Sequence, residues 1–284
     1  MTTVAVALAE ARARGVASLD AQLLLARVLA TTRTALIAHD ERQLAVQEYE
    51  RWCAWLARRA GGEPLAYLIG EKEFHGLALE VNADVLVPRP ETELIVDWAS
   101  SLLAGLARER AAVGEARPAS VVDLGTGSGA IALALKRLHP GATVVASDAS
   151  AAALAVARRN ADRTGLAIEL VEGAWWAAVA GRRFDLAISN PPYVAAGDPH
   201  LAALRHEPLV ALTPGGDGLD ALRTIVAGST AHLKAAGWLV VEHGFDQGAA
   251  VRNLLARAGL VEVETRDDLA GHARATAGRR PRAA

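Results

Sequence analysis

The chain is predicted to be an α/β protein, a doubly wound parallel sheet preceded by a small helical domain, and three observations carry that prediction. From residue 119 onward short apolar runs alternate with helix-length segments, the pattern that places strands side by side in parallel with helices on both faces. A glycine-rich turn, Gly125-Thr126-Gly127-Ser128-Gly129, sits between one such run and an apolar helical stretch. Ahead of residue 80 the apolar positions recur instead at three- and four-residue spacings, which is a helical period.

Taken in order, Ala21, Leu24, Leu25, Val28 and Leu29 form one apolar face, and Val46, Tyr49, Cys53 and Leu56 a second. Gly61-Gly62 ends the second run, with Pro64 just beyond. We assign residues 1–76 to the helical domain, 77–92 to a hairpin or linker built around Leu77 to Val87, and 93–284 to the α/β domain. In Pro88-Arg-Pro-Glu-Thr-Glu93 two prolines stiffen the chain, and Thr92 is placed to N-cap an amphipathic stretch starting near Glu93. Ala111 to Pro118 reads as a loop. Strands are predicted at 119–124, 143–147, 167–171, 184–189 and 237–242, with helices over Ala130–Lys136 and Ala151–Asn160.

Two stretches carry chemistry. Glycines at 125, 127 and 129 tolerate positive φ and let a ligand approach the backbone, while the next helix offers free N–H groups at its start. Their G-x-G-x-G spacing departs from the G-x-G-x-x-G of dinucleotide binding. The second predicted strand ends at Asp148, where an acid that holds ribose hydroxyls belongs in a Rossmann-like unit; the same residue can cap the helix that follows. The other stretch is Asn190-Pro191-Pro192-Tyr193. Two prolines with fixed φ and no N–H keep the chain extended and leave carbonyls as acceptors. The Asn190 side-chain oxygen and the Pro191 carbonyl can each take one hydrogen of a planar amino group, and the Tyr193 ring can lie against its plane. Alone, the stretch reads equally as a strand ending in a proline turn. In the usual strand order, however, the first and fourth strands are neighbours at the switch point, so both loops open into one crevice.

The set Asp123-Leu-Gly-Thr-Gly-Ser-Gly129, Asp148, Trp175 and Asn190-Pro-Pro-Tyr193 resembles the S-adenosylmethionine-dependent methyltransferases that modify a planar amino nitrogen, which have a Rossmann-like class I methyltransferase fold. Gly62-Glu-Pro-Leu-Ala-Tyr-Leu-Ile-Gly70, Glu73-Phe74, Pro88 to Glu93, Val241-Glu-His-Gly244 and Gln247-Gly248 narrow the resemblance to the release factor glutamine methyltransferases, over nearly the whole chain to about Gly278. The resemblance implies methylation of the side-chain amide nitrogen of glutamine in the Gly-Gly-Gln tripeptide of class I peptide-chain release factors, a modification of the translation-termination machinery. It implies that Gly125, Thr126, Gly127, Ser128, Gly129, Asp148, Trp175 and Asn190 line the S-adenosylmethionine site. Asn190, Pro191, Pro192 and Tyr193 would hold the glutamine, with Asn190, Pro191 and Tyr193 catalytic, and the helical domain would bind the protein substrate. Where the family often has an acid before the tryptophan, this chain has Ala174. Trp176 is an alternative stacking face, and either ring can be core. Arg89 and Glu91 fall near the crevice in the family, on the substrate or the cofactor side, with no individual contact assigned.

Charge narrows the partners. With 30 Lys and Arg against 32 Asp and Glu the chain lacks the basic surplus of a nucleic-acid binder, so no direct nucleic-acid binding is expected. Arg279, Arg280 and Arg282 read as a short tail, and Arg58-Arg59 and Arg108-Glu109-Arg110 as solvated helix faces. A single cysteine, Cys53, gives neither a disulfide framework nor a Cys-based zinc site, and no metal is expected. No signal peptide and no run of ~18 apolar residues is visible, so no membrane is expected and the expected compartment is the cytoplasm. His75, His206 and His243 read as structural. Two rivals stand beside this reading: an adenine-amino methyltransferase acting on nucleic acid, and a non-catalytic module binding a nucleotide or partner on the same scaffold.

Overall fold

A computed structural model of the protein describes residues 2–115 and 117–282 and resolves into two compact units, Met1–Glu71 and Lys72–Ala284. The expected loop over 111–118 includes Ala116, which lies outside the described residues.

The first unit is helical: α1 (Val4–Ala13), α2 (Ser18–Val28), α3 (Arg33–Ala38), α4 (Val46–Ala60) and α5 (Leu65–Ile69). Thr3 and Thr32 cap α1 and α3 by accepting from Val6 N (3.4 Å) and Ala35 N (3.1 Å), and Glu48 reaches back to Ala45 N at 2.8 Å. Leu24, Leu25, Trp52 and Leu56 are fully buried at its centre. Val46, read as part of the second apolar face, is exposed, because the α4 seam runs through Trp52 and Leu56 with Tyr49 and Cys53 packed beside it.

A hairpin follows, β1 (Glu71–Phe74) and β2 (Leu77–Glu80), turning at His75 and Gly76 with φ of 49° and 74°. Positive φ at both central residues is the type I′ geometry that matches strand twist. The hairpin therefore begins ahead of Leu77, where the sequence puts it. A short 3₁₀ turn, Pro90–Thr92, leads into α6 (Glu93–Ala112), whose Ile95, Val96, Ala99, Leu103 and Leu106 bury one stripe. Then come β3 (Ser120–Leu124), α7 (Ala130–Leu138), β4 (Thr143–Asp148), α8 (Ala151–Thr164), β5 (Glu169–Glu172), β6 (Phe184–Ser189), α9 (Leu209–Leu212), α10 (Asp220–His232), β7 (Leu233–Glu242), α11 (Gly248–Arg257), β8 (Val261–Asp267) and β9 (Ala273–Arg279).

The seven-stranded sheet has the order β5-β4-β3-β6-β7-β9-β8. Its first five strands are parallel and β9 is antiparallel to both neighbours. The chain winds outward from β3 to β5 and then returns to β6 on the other flank of β3, so β3 and β6 form the switch point. Alternate residues of β3 face opposite layers: Val121 packs with α6 and α7 residues such as Trp98 and Leu133, and Val122 and Leu124 with Leu222, Ile225 and Val251 of α10 and α11. Among the described residues no helix is long and apolar enough to cross a membrane, and no cluster of His, Cys, Asp and Glu could hold a metal ion.

The closing hairpin β8–β9 was not predicted, and it revises the charged segments. Arg279 lies in β9, is buried, and pairs with Glu109 and Glu262. Arg110 turns inward to Asp185, a fully buried carboxylate at the amino end of β6 that also receives Arg117 (2.8 and 2.9 Å), the Ser120 N–H (2.8 Å) and Lys234 (3.2 Å). The end of α6 is therefore tied into the sheet rather than solvated throughout.

Candidate active site

β3 and β6 pair in parallel with Asp123 opposite Ile188, and the Ser189 hydroxyl donates to the Leu124 carbonyl at 2.6 Å. Both strands thus release their loops at the same edge and at adjacent positions. The glycine turn begins at Gly125 and the proline segment at Asn190, so the two motifs leave the sheet side by side beyond the carboxyl ends of the strands, where ligands of such sheets bind.

Gly125 is at φ 75°, and a Cβ there would lie 3.2 Å from the Trp175 ring, so only glycine lets the indole close over the turn. A Cβ at Gly127 would meet nothing within 4 Å, which leaves that face of the turn open. The turn is braced from β4: Gly125 N and Thr126 N donate to the Ser147 carbonyl (2.8 and 2.9 Å), and Gly127 N to Asp148 Oδ2 (2.9 Å). Asp148 also accepts from Ser150 N at 2.9 Å, but the cap of α8 is Ser150, whose hydroxyl accepts from Ala153 N at 3.1 Å. The two tryptophans separate. Trp175 is half-buried against Gly125, whereas Trp176 is core, its indole N–H donating to the Ile225 carbonyl at 2.8 Å and its ring stacked on His232 at 4.8 Å.

Asp123 lies fully buried beneath the turn. Thr126 donates to its Oδ2 at 2.6 Å, and Oδ1 has no hydrogen-bond partner among the described residues. Burial pushes this carboxyl up to about 7, against the pull of the Thr126 hydroxyl.

The proline segment is held on every side. Asn190 donates through Nδ2 to Thr92 Oγ1 at 3.1 Å, which commits the donor end of its amide and leaves Oδ1 as acceptor. Thr92 makes no side-chain cap on α6; its hydroxyl belongs to this network. Tyr193 donates to Glu242 Oε1 at 3.2 Å, and its carbonyl accepts from Gln247 Nε2 at 3.0 Å. Glu242, at the carboxyl end of β7, is 1% exposed and pushed up to about 7 by burial, opposed by the Thr92 and Tyr193 hydroxyls. Arg89 does not stand free: it pairs with buried Glu207, which also accepts from Val87 N at 3.0 Å, while Glu91 is exposed. His243 is fully buried between the Gly244 carbonyl and Thr276, both at 2.8 Å, and serves the framework.

Sequence reasoning missed Gly218, Glu207 and Glu242 as parts of this site, because each acts through a partner more than 20 residues away. Gly218, at φ 82°, packs directly on the Tyr193 carbonyl, inside the distance any Cβ could keep. Gly218→Ala is expected to cost roughly 1–3 kcal/mol of backbone strain and to displace Tyr193. Turnover should fall several-fold with a lowered melting temperature; unchanged turnover would show that the loop tolerates displacement.

A glycine turn over the open edge of a switch point, facing a stiff Asn-Pro-Pro-Tyr loop, defines a Rossmann-like methyltransferase. The fold agrees with a methyltransferase from Pyrococcus furiosus, which superposes at a TM-score of 0.54 with 18% identity over 79% of this chain and 97% of that one. Residues 93–217 match the family model "Methyltransferase small domain", and residues 2–70 match "PrmC N-terminal domain". The chain belongs to the release factor glutamine methyltransferase family: the member from Xylella fastidiosa is 48% identical over 279 residues, 97% of this chain and 98% of that one. The Escherichia coli member is 38% identical over 263 residues, 92% of this chain and 91% of its own.

Proposed function

We propose that the protein transfers a methyl group from S-adenosylmethionine to the side-chain amide nitrogen of the glutamine in the Gly-Gly-Gln tripeptide of class I release factors. The observation that carries the reading is the tie between Ser189 and Leu124, because donor and acceptor must meet within roughly 3–3.5 Å for direct transfer. Family membership supports the substrate. The residues fit the donor: Trp175 offers a flat face, Gly127 an open approach, and the buried Asp123 Oδ1 an unpartnered acceptor suited to a ligand that bears positive charge. Asp148 spends one lone pair of each oxygen on Gly127 N and Ser150 N, and keeps acceptor capacity for ribose hydroxyls.

When bound, S-adenosylmethionine supplies an electrophilic methyl group on a positively charged sulfur. The chain's own residues address the acceptor, whose amide nitrogen is a poor nucleophile because its lone pair is delocalised into the carbonyl. Asn190 Oδ1 and the Pro191 carbonyl accept its two hydrogens, and these bonds strengthen as the nitrogen gives up its lone pair and becomes more positive. Tyr193 lies against the amide plane. Fixed orientation of the reactants contributes up to about 7–11 kcal/mol. One N–H is exchanged for N–CH₃ and one proton is released.

The helical unit supports binding of the protein substrate, and the chain's slight acidity favours a protein over a nucleic acid. The reaction belongs in the cytoplasm, with translation termination. Incubation with labelled S-adenosylmethionine and purified release factors, followed by mass spectrometry, tests this. The expected product carries one methyl on that glutamine; label on another residue, or none, overturns the substrate or the activity.

A further inference from the structure

We propose that Asn160 of α8 is a positioning residue for the methyl donor, its side-chain amide fastening the second half of the glycine turn to the β1–β2 hairpin. This rests on the proposed function, which takes that turn as the S-adenosylmethionine site. Asn160 is fully buried, and both hydrogens of its amide are spent on backbone carbonyls. Nδ2 donates to the Ser128 carbonyl at 2.9 Å and to the Glu80 carbonyl at 3.0 Å, while Oδ1 accepts from Glu80 N at 2.6 Å. The backbone partners fix which way round the amide sits, because the one N–H among them must meet oxygen and the two carbonyls must meet NH₂. The amide therefore pairs with both backbone groups of Glu80, as a neighbouring strand would, and keeps one hydrogen for the turn.

β4 braces the first half of the turn through the Gly125, Thr126 and Gly127 N–H groups. The second half is held from α8. The peptide joining Ser128 to Gly129 is fixed at both ends, its carbonyl by Asn160 and its N–H by the Thr126 carbonyl at 2.9 Å. Gly129 is at φ 83°, and a Cβ there would stand 3.3 Å from the Ala157 Cβ, one helical turn before Asn160, so α8 is pressed directly on the turn. A peptide free to rotate at that point gives the turn several shapes, and a ligand that needs one of them binds more weakly by the fraction lost. An apolar residue at 160 could pack the helix on the hairpin equally well, but it would leave three backbone groups without partners. Arg159 supplies an internal comparison: its Nε donates to Glu80 Oε1 at 2.8 Å, tying the same helix to the same hairpin residue on the solvent side.

The test compares wild type with Asn160→Asp, Asn160→Ala and Arg159→Ala, by calorimetric titration with S-adenosylhomocysteine and by kinetics on a release factor. Aspartate keeps the size and the acceptor but turns lone pairs toward two carbonyls. S-adenosylhomocysteine should bind Asn160→Asp about tenfold more weakly, and KM for S-adenosylmethionine should rise to match, while kcat at saturating donor and KM for the release factor stay within about twofold of wild type. Asn160→Ala should lose about fivefold in the same affinity, and Arg159→Ala, which breaks an exposed pair, less than about twofold. Burial raises the introduced carboxyl, and once protonated it regains one donor, so the deficit of Asn160→Asp should narrow from about pH 8 to about pH 6. An affinity of folded Asn160→Asp within about twofold of wild type, a loss confined to kcat, or an equal loss in Arg159→Ala would overturn the proposal; if Asn160→Asp does not fold, Asn160→Ala decides it by the same limits. A wild type that binds S-adenosylhomocysteine but methylates no release factor would count against the proposed function instead, and the binding comparison would still decide the role of Asn160.

Discussion

Asn190→Ala is expected to cut turnover by roughly ten- to hundred-fold while the protein stays folded. One aligned acceptor is lost, at a cost of about 1–3 kcal/mol, and each 1.36 kcal/mol is about a factor of ten in rate. The truncation also strands Thr92 Oγ1, whose donor at 3.1 Å disappears, but it leaves Pro191 and the Tyr193–Glu242 bond in place. Stability should therefore change far less than rate. Steady-state kinetics on a release factor, with circular dichroism as the control for folding, measures both. Normal turnover in a folded variant would remove the two-acceptor account.

The largest loss of stability is expected at the other end of the same strand. Asp185→Ala removes the carboxylate that Arg110, Arg117 and Lys234 share, and leaves those cations without that anion around a fully buried position. Breaking such a buried charge network costs about 3–5 kcal/mol. Burial by itself would raise Asp185, but the Arg117 hydrogen bond, the Ser120 N–H and the nearby Lys234 and Arg110 outweigh it and hold the carboxyl well below the usual carboxylate range. A lowered folded-state value means that this stability is present above the ordinary aspartate range and is lost as pH falls through it toward the folded value. Urea unfolding at neutral pH should show the deficit, and acidification below about pH 4 should narrow the gap between variant and wild type. A deficit under about 1 kcal/mol at neutral pH would mean the cations find other partners.

Legibility followed burial. Phe184 to Ser189 is buried throughout, so its apolar run marks β6 without ambiguity, and the glycine turn and the diproline could be read because their chemistry is local. β8 was illegible: it is a sheet edge carrying Glu262, Glu264 and Arg266, and charge on an edge strand hides the strand while guarding it against pairing. β9 is built of alanine, threonine, glycine and arginine, residues that signal strand only once β7 and β8 flank them. Thr92 carried a genuine cap signature, yet a tertiary partner claimed its hydroxyl. Asp185, Glu207 and Glu242 depend on strand order, which places residues 49 to 120 positions apart in contact, and no local pattern encodes that.

The most direct test of the shared crevice is a crystal structure with S-adenosylhomocysteine and a release factor bound. The account predicts the glutamine amide hydrogens on Asn190 Oδ1 and the Pro191 carbonyl, the Tyr193 ring against the amide plane, and the nitrogen about 3–3.5 Å from where the transferred methyl carbon would lie, in line with the sulfur. A glutamine seated away from the Asn190 to Tyr193 loop, or a cofactor product bound elsewhere than the Gly125 to Gly129 turn, would contradict it.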